Sequence, residues 1–436
     1  MVSLDDGVDV AGLRLRNRLY RAPLLECAGD GPDAGERLAD ELEPAAAAGA
    51  GLVVQGATVV AEEGGCVAPN MTRLADDAAV ERLRPVTDAV HAHGGRIVVQ
   101  LDHGGLRSLE TWHREYGAAN PYLSQLAVSR PPRLLRALDR LGALDYDPHV
   151  LSTEEAYDVA ADFGRAARRA VEAGYDGVHL AGGNMGLLQQ FCSPYYNRRD
   201  DEFADPGRFL EVVHDEVRDR AGDVPLLVKL TTESRRPPFV RRGIERADVV
   251  HLAERLADHG YDAVSPVEGS VFWDASLVRG EHPERAWAAS QFESGYAAAF
   301  GGRTRAALVR ELARASARLN PFEACWNADL CRAVREAVDI PVLCEGGIRT
   351  RTEMDALLGD ACDLVGLARP FYAEPRLPAR LLGGGDEVVC ENCNNCVVPQ
   401  ATGAPGMCRT PSVLRERGAY ERAGAYDTPS TPSDPE

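Results

Sequence analysis

Four cysteines lie close together near the end of the sequence, in the segment VVCENCNNCVVPQATGAPGMC that begins at Val388. Cys390, Cys393 and Cys396 are separated by two residues each, and Cys408 follows after eleven more. Thiolates at this spacing can hold a [4Fe–4S] cluster, three from the compact run and one from beyond it. A structural zinc more often uses two separated C-x2-C pairs. The spacing therefore favours a [4Fe–4S] cluster, with zinc, a disulfide or free thiols as the alternatives.

A second group of residues that can do chemistry lies where short apolar runs end. The segments EGGIRT (345–350) and GLARP (366–370) place Gly346, Gly347 and Arg369 after two such runs. Backbone N–H groups that no side chain obstructs, with a cation beside them, suit a phosphate group. A plain turn is the alternative for the two glycines alone. We expect these two loops to bind the phosphate of a cofactor.

Gln100 and Lys229 end two further apolar runs. The Gln100 amide can both donate and accept a hydrogen bond, as the pyrimidine edge of a flavin requires. Lys229 is the only lysine in the chain, and a cation buried at this position is costly unless it has a partner. It can stabilise the negative charge of a reduced flavin; a chance survivor among arginines is the alternative. Both residues indicate a flat, hydrogen-bonding cofactor.

The elements that position these residues are eight short apolar runs separated by helical patterns. Each run fits a strand buried on both faces, and Ser152 with Glu155 forms a predicted capping box before one helix. Parallel strands that alternate with helices predict an α/β fold, a (β/α)8 TIM barrel with its active site at the carboxyl ends of the strands. The predicted strands lie within 19–24, 45–56, 94–101, 171–183, 224–230, 256–269, 340–347 and 357–370. The predicted helices are 78–93, 153–173, 206–221, 246–259 and 326–338.

The predicted barrel occupies residues 1–385 and has two long insertions on its active-site side, near 104–150 and 270–325. Long loops there usually shape substrate entry, although a packing or oligomer role is the alternative. A C-terminal cysteine-rich iron–sulfur module follows at 386–415. Residues 416–436 are rich in Pro, Ser and acidic residues at their end, and we expect a disordered acidic tail.

Six ordered motifs resemble the old yellow enzyme family of FMN-dependent NADH:flavin oxidoreductases. They are NRLYRAPL, QGATVV, VVQLDHGG, GYDGVHLAGGNMGLLQQFCSPYYNRRDDEF, IPVLCEGGIRT and DLVGLARP, and the resemblance covers nearly all of residues 5–380. With the four cysteines included, the layout is similar to the barrel plus [4Fe–4S] part of 2,4-dienoyl-CoA reductase and trimethylamine dehydrogenase. The resemblance implies FMN contacts at Ala22, Pro23, Leu24, Ala57, Gln100, Lys229, Gly347, Ala368 and Arg369.

The sequence departs from the family in several places. Lys229 stands where family members usually have arginine, and the family's H-x-x-[HN]-x-Y motif reads AGGNMG at 181–186, so that only Asn184 is retained. The tyrosine that donates a proton in the ene-reductases is Gly186. Replacement candidates for the missing acid are His103, Tyr195, Tyr196 and His179. Each can also be a packed or hydrogen-bonded structural residue.

The resemblance implies an enzyme that exchanges a hydride with a small organic substrate. Reduction of an activated C=C bond and oxidation of a C–H bond next to nitrogen are both open; the missing tyrosine slightly favours the second. Larger relatives continue beyond the cysteines into a nucleotide-binding region, and no G-x-G-x-x-G follows a strand here. This implies a separate electron-transfer protein or reductase subunit, with direct reduction by NAD(P)H as the alternative. The second hypothesis is a catalytically degenerate electron-transfer or scaffold subunit of a complex.

The composition excludes some partners. The net charge is −19, with 67 acidic and 48 basic residues, so nucleic acid is not an expected partner. No run approaches the roughly 18 apolar residues of a membrane span, and the N-terminus lacks the pattern of a signal peptide. The seven remaining cysteines are scattered, which is typical of a reducing compartment. We therefore expect a cytoplasmic protein without a membrane partner, and the sequence leaves a homo-oligomer open.

Overall fold

The computed structural model describes residues 2–142, 144–238, 240–269, 271 and 276–427. Eight parallel strands form one sheet, and the backbone N–H of Val264 donates to the Pro341 carbonyl at 3.0 Å where the two ends of the sheet meet. Every predicted strand is present, so the (β/α)8 TIM barrel is confirmed. The strands are β1 Leu19–Arg21, β2 Leu52–Val59, β3 Ile97–Asp102, β4 Gly177–Leu180, β5 Leu226–Thr232, β6 Ala263–Glu268, β7 Leu343–Glu345 and β8 Leu364–Leu367.

Helices follow the strands around the outside of the barrel. The predicted capping box is present, since the Ser152 hydroxyl accepts from the Glu155 N–H and the Glu155 carboxylate accepts from the Ser152 N–H. The helix that it opens ends at Gly174, whose φ of +98° is the left-handed conformation that glycine adopts without strain. The barrel helices are α1 Ala34–Ala47, α2 Ala78–His91, α3 Thr153–Ala173, α4 Arg208–Ala221, α5 Arg246–His259, α6 Ala328–Arg335 and α7 Arg351–Leu357. Two short helices after β8 are Arg369–Ala373 and Leu377–Leu382.

The barrel interior is apolar at the end where the strands begin. A hairpin of Val8–Val10 and Leu13–Leu15 covers that end and packs on the inward side chains. Those side chains include Tyr20, Leu52, Val54, Val98, Leu227, Ala263, Leu343 and Leu364. A larger apolar core separates the strands from the surrounding helices. The polar side chains of the interior therefore lie toward the carboxyl ends of the strands.

Both insertions contain ordered elements. The described parts of residues 104–150 include the α-helices Leu109–Trp112, Arg114–Ala119 and Arg133–Arg140, the 3-10 helix Gly105–Arg107, and the strands Gln125–Ala127 and Pro148–Val150. The described parts of residues 270–325 include the helices Glu284–Ala288, Ser290–Phe300 and Arg303–Leu319. Another 3-10 helix, Val398–Thr402, lies in the cysteine segment. Among the described residues, we find no helix with the length and apolar character that a membrane crossing requires.

The expected disorder from residue 416 onward is wrong for the part of the tail that the structure describes. A helix runs from Pro411 to Arg422 and so crosses the predicted boundary. It is held to the barrel because the Tyr426 hydroxyl donates to Glu374 at 2.7 Å and the Arg380 guanidinium stacks on Tyr420. The remaining tail residues, 428–436, lie outside the described residues.

Candidate active site

A layer of polar side chains lies above the apolar end of the barrel interior. In β3 and β5, side chains two residues apart point to the same face, so Gln100 follows the inward Val98 and Lys229 follows the inward Leu227. Register places His179 opposite Gln100 and Ser265 opposite Lys229. The sequence predicted Gln100, His179 and Lys229 separately, and the structure brings them together.

Two hydrogen-bonded groups make up this layer. The Gln100 Nε2 lies 3.0 Å from His179 Nδ1. The Lys229 ammonium donates to Glu345 at 2.9 Å, and the Tyr20 hydroxyl donates to the other oxygen of that carboxylate at 2.9 Å. Burial, with a smaller contribution from Lys229, holds the pKa of His179 well below its ordinary value, so its imidazole is neutral. Glu345 and Tyr20 were not predicted as site residues.

Three buried polar atoms beside these groups have no hydrogen-bond partner within the protein. They are His179 Nε2, Thr231 Oγ1 and Ser265 Oγ. A buried polar atom without a partner is costly, and native proteins normally satisfy it with water or a ligand. The set combines a ring nitrogen and two hydroxyls beside an amide and an ammonium. This donor and acceptor set fits the polar edge of a flavin.

The β7–β8 loops have the features expected of a phosphate site. Gly346 and Gly347 have φ values of +111° and +74°, and a Cβ at Gly346 would lie 2.5 Å from the Trp326 ring. Any other residue at Gly346 would thus meet both backbone strain and this ring. The Arg279 guanidinium stacks on the Trp326 ring, 3.9 Å from its centroid, and supplies a cation that the sequence did not reveal.

The second predicted phosphate ligand, Arg369, faces the cysteine segment. Its guanidinium donates to the Asn394 side chain and, at 2.9 Å, to the Arg279 carbonyl. Ala368, which precedes it, is half-buried at the start of the short helix that follows β8. Arg369 therefore connects the predicted phosphate loop to the cysteines.

The loop after β1 also lies at the mouth of the barrel. Ala22 is buried and its N–H donates to the Leu367 carbonyl at 3.0 Å, whereas Pro23 and Leu24 are half-buried. The Leu24 carbonyl lies so close to β2 that a Cβ at Gly56 would overlap it, at 1.2 Å. Ala57 follows in an irregular part of the β2–β3 pairing and is half-buried. These backbone segments lie directly after β1 and in the irregular part of β2.

The loop after β4 carries Asn184 at the mouth of the barrel. Its side chain is exposed, its φ is +56°, and its carbonyl accepts from Arg107 at 2.8 Å. The loop is tied to the end of β3, because Ala181 N–H donates to the Leu101 carbonyl at 3.0 Å. At Gly186, a Cβ would lie 2.8 Å from the Asp102 carboxylate. Asp102 was not among the predicted site residues.

His103 and Tyr195 do not join the polar layer. His103 follows Asp102 on the strand and so points to the opposite face, where its ring contacts Gly65 and its Nδ1 accepts from Gly105 N–H at 3.1 Å. Burial lowers the pKa of His103 to about 4. Tyr195 packs edge-on to Tyr196 with ring centroids 5.0 Å apart, within an apolar cluster at the lip of the barrel.

The four cysteines of the C-terminal segment are partly or fully buried. Burial raises the pKa of the Cys390 and Cys396 thiols, and the Arg369 cation opposes this shift at both. Among the described residues, the set of ligand atoms gathered within 4.8 Å of one another is His214, Asp215 and His259 on the outer helices.

The cysteine segment is bound to the mouth of the barrel at several points. The Cys408 N–H donates to the Tyr372 carbonyl at 3.3 Å, and the Tyr372 hydroxyl donates to the Leu25 carbonyl at 2.8 Å. The Val389 N–H donates to the buried Glu374 at 2.9 Å. These contacts place the cysteines against the loops after β1 and β8, beside the predicted cofactor site.

Residues 6–291 match the NADH:flavin oxidoreductase / NADH oxidase family. The chain belongs to this family. It is therefore a flavin-dependent oxidoreductase, and the resemblance found from the motifs is confirmed. The match ends within the second insertion, so the cysteine segment lies outside it.

Two relatives illustrate the range of this family. The chain is 28% identical over 412 residues to 4,4'-dithiodibutanoate disulfide reductase of Rhodococcus erythropolis, covering 93% of this chain and 94% of the relative. It is 26% identical over 411 residues to N,N-dimethylglycine/sarcosine dehydrogenase of Chromohalobacter salexigens, covering 92% of this chain and 51% of the relative. The chain thus spans about half the length of the second relative.

Histamine dehydrogenase from Rhizobium sp. 4-9 shares the fold. Its structure superposes with a TM-score of 0.71 at 20% identity, covering 95% of this chain and 53% of that chain. The overlap includes the barrel and extends over nearly all of the protein described here.

Proposed function

We propose that this protein is an FMN-dependent oxidoreductase that takes a hydride from NAD(P)H and passes it to a small organic substrate. A [4Fe–4S] cluster held by Cys390, Cys393, Cys396 and Cys408 relays electrons to or from a separate protein. The observation that carries the proposal is the polar layer inside the barrel. His179 Nε2, Thr231 Oγ1 and Ser265 Oγ are buried there without partners, beside Gln100 and Lys229.

FMN, when bound, supplies hydride transfer between a nicotinamide and an organic substrate. The residues of this chain bind and orient it. Gln100 offers an amide that donates and accepts, and the neutral His179 offers its free Nε2. Lys229 provides a positive charge whose cost of burial is offset by Glu345. Gly346 and Gly347, with φ values of +111° and +74°, form the turn that would hold the phosphate.

The cluster assignment is supported by the position and spacing of the thiols. The segment is bound to the loops after β1 and β8, and Arg369 is the cation that favours the thiolate form at two of the cysteines. Three thiols at two-residue spacing with a fourth eleven residues further suit a cluster, whereas a single zinc ion more often uses two separated C-x2-C pairs. Electrons can thus enter or leave through this side of the barrel.

The names of the relatives suggest which substrates to test. One is named for the reduction of a disulfide and another for the oxidation of N-methyl amines. We infer that the pocket above the polar layer accepts a small organic molecule of one of these classes or an activated alkene. A panel of an enone, an organic disulfide and an N-methyl amine covers all three.

The proposal is tested by purifying the protein without oxygen and measuring its flavin, iron and sulfide. We expect one FMN and about four irons per chain, and reduction of the flavin by NADH or NADPH. Cys393→Ser is expected to lose the iron, whereas Cys325→Ser, at a half-buried cysteine outside the segment, is expected to keep it. Equal iron contents in the two variants would contradict the cluster assignment.

The flavin site has its own matched pair of variants. His179→Ala removes a buried imidazole from the polar layer, and His251→Ala removes an exposed one from α5. We expect FMN to dissociate from the first variant at least tenfold more readily than from the second. Unchanged FMN affinity in His179→Ala would show that the cofactor does not occupy the polar layer.

A further inference from the structure

Asp102 is a buried carboxylic acid at the mouth of the barrel. The proposed cofactor site assigns no role to it. It ends β3 two residues beyond Gln100, so its side chain points to the same face, above the polar layer. It is only 7% exposed, and it accepts from the N–H of His103 at 2.8 Å. Burying a carboxyl group costs free energy, and a buried group does not contribute to the solubility of the surface. Its presence here therefore indicates another role.

The loop after β4 packs closely against this carboxyl group. Gly186 lies against it, and a Cβ there would be 2.8 Å from Asp102 Oδ1. A second hydrogen bond from the loop, Leu187 N–H to the His103 carbonyl at 2.7 Å, fixes the loop against the end of β3. Because glycine has no side chain, the loop that carries the exposed Asn184 can approach the carboxyl group this closely.

The charges around Asp102 are few. Arg107, from the insertion after β3, is the cation that acts on it, and the Cys66 thiol also interacts with it electrostatically. Residues 181–190 of the adjoining loop carry no ionisable side chain. Burial raises the pKa of Asp102 to about 6, with Arg107 and the His103 N–H opposing the shift, and raises that of Cys66 to about 11. A group that exchanges its proton near neutral pH suits general acid catalysis.

We propose that Asp102 is the proton donor of this active site in the reduction of an activated alkene. The inference rests on the proposed flavin function. One carbon of the C=C bond receives the hydride that originates from NAD(P)H, and the neighbouring carbon receives the proton of Asp102. The product gains two electrons and two hydrogens, NAD(P)+ is released, and the Asp102 carboxylate regains a proton from water. Oxidation of an amine would require no such acid.

Asp102→Asn tests the proposal, because it keeps the shape of the side chain but removes the proton. Bound flavin is first reduced with dithionite and then mixed with 2-cyclohexenone. We expect reoxidation by the enone to slow at least about 100-fold in Asp102→Asn and to be unchanged in Asp88→Asn, on the outer helix α2. An equal rate in wild type and Asp102→Asn would overturn the assignment. Failure of the wild type to react with any enone would also overturn it, because there would be no alkene reduction for Asp102 to serve.

Two further measurements distinguish a failure of this proposal from a failure of the proposed function. Absent FMN, or no reduction of wild-type flavin by NADH or NADPH, would refute the proposed function itself. In flavin-free protein, the elevated pKa means that Asp102 contributes stability at low pH that is lost as the pH rises through about 6. We expect this pH dependence of unfolding to be absent from Asp102→Asn. Identical profiles would overturn the elevated pKa on which general acid catalysis depends.

Gly186→Ala provides a second variant. Its methyl group would lie 2.8 Å from Asp102 Oδ1, too close for a normal contact, and so displace the carboxyl group without changing its charge. We expect enone reoxidation to slow by at least tenfold while dithionite still reduces the flavin. A wild-type rate in this variant would show that the position of the Asp102 carboxyl group does not matter for the reaction, and would contradict the proposal.

Discussion

The only lysine of the chain, Lys229, lies 2.9 Å from Glu345 across the barrel interior, and Tyr20 donates to the same carboxylate. Both charged side chains are mostly buried, at 14% and 15% exposed. Removing one member of such a pair leaves the other without its counter-charge, which costs more than removing both. The pair therefore matters for stability as well as for the charge of the cofactor site.

A double-mutant cycle tests this relationship. We expect Glu345→Gln to lower the free energy of unfolding of the flavin-free protein by about 1–3 kcal/mol. The double variant Lys229→Met/Glu345→Gln is expected to lose less than the sum of the two single variants. Urea denaturation followed by circular dichroism gives all four values. Additive effects would mean that the two side chains are not coupled.

The sequence predicted the barrel because each strand is apolar on both faces and is bounded by a helix. The sequence did not predict Glu345 as a site residue, although it lies in the EGG segment of the predicted phosphate loop. Its partner Lys229 lies on a strand that is far away in the sequence. Asp102 was within reach of sequence reasoning. The alternation that makes Gln100 point inward also makes Asp102 point inward and His103 outward.

Other features could not be predicted because they depend on contacts between residues that are distant in the sequence. The helix Pro411–Arg422 begins with proline at its first position, which is a recognised start signal, but its docking depends on the distant Glu374. Arg369, predicted as a phosphate ligand, donates to Asn394. This contact depends on how the cysteine segment folds back on the barrel.

The helix cap at Ser152 provides a test of a feature that the sequence did predict. Its hydroxyl accepts from the Glu155 N–H at 3.1 Å. We expect Ser152→Ala to lower the free energy of unfolding by about 1 kcal/mol, because one N–H of the first turn of α3 loses its partner. Thermal unfolding compared with Ser290→Ala, at an exposed serine, is the measurement. Equal losses in the two variants would contradict a specific cap.

Arg369 is expected to stabilise the proposed cluster. Burial raises the pKa of the Cys390 and Cys396 thiols, and the Arg369 guanidinium opposes that shift and donates to Asn394, which lies between them in the sequence. We expect Arg369→Gln to lose iron several-fold faster in the presence of a chelator, since the thiolates lose a favourable charge. Arg246→Gln, on α5, is the control. Loss of iron at the same rate in both variants would show that Arg369 serves the phosphate alone.

Glu233 gives a pH dependence with a defined direction. It is fully buried at the end of β5 and accepts from the Ser193 hydroxyl at 2.8 Å and the Ile244 N–H at 3.0 Å. Burial raises its pKa to about 7 despite these donors. Because the folded protein holds this proton more tightly than the unfolded chain, its contribution to stability is present below about pH 4.5 and is lost as the pH rises through about 7.

We therefore expect wild-type protein to lose about 2–3 kcal/mol of unfolding free energy between pH 5 and 8 relative to Glu233→Gln. Urea titrations at four pH values measure the difference, and Glu62→Gln, at an exposed residue, should follow the wild type. Parallel profiles for wild type and Glu233→Gln would mean that the Ser193 and Ile244 donors hold the carboxylate ionised at neutral pH. The glutamine also turns one accepting oxygen into a donor, so its overall stability is lower at every pH and only the slope is diagnostic.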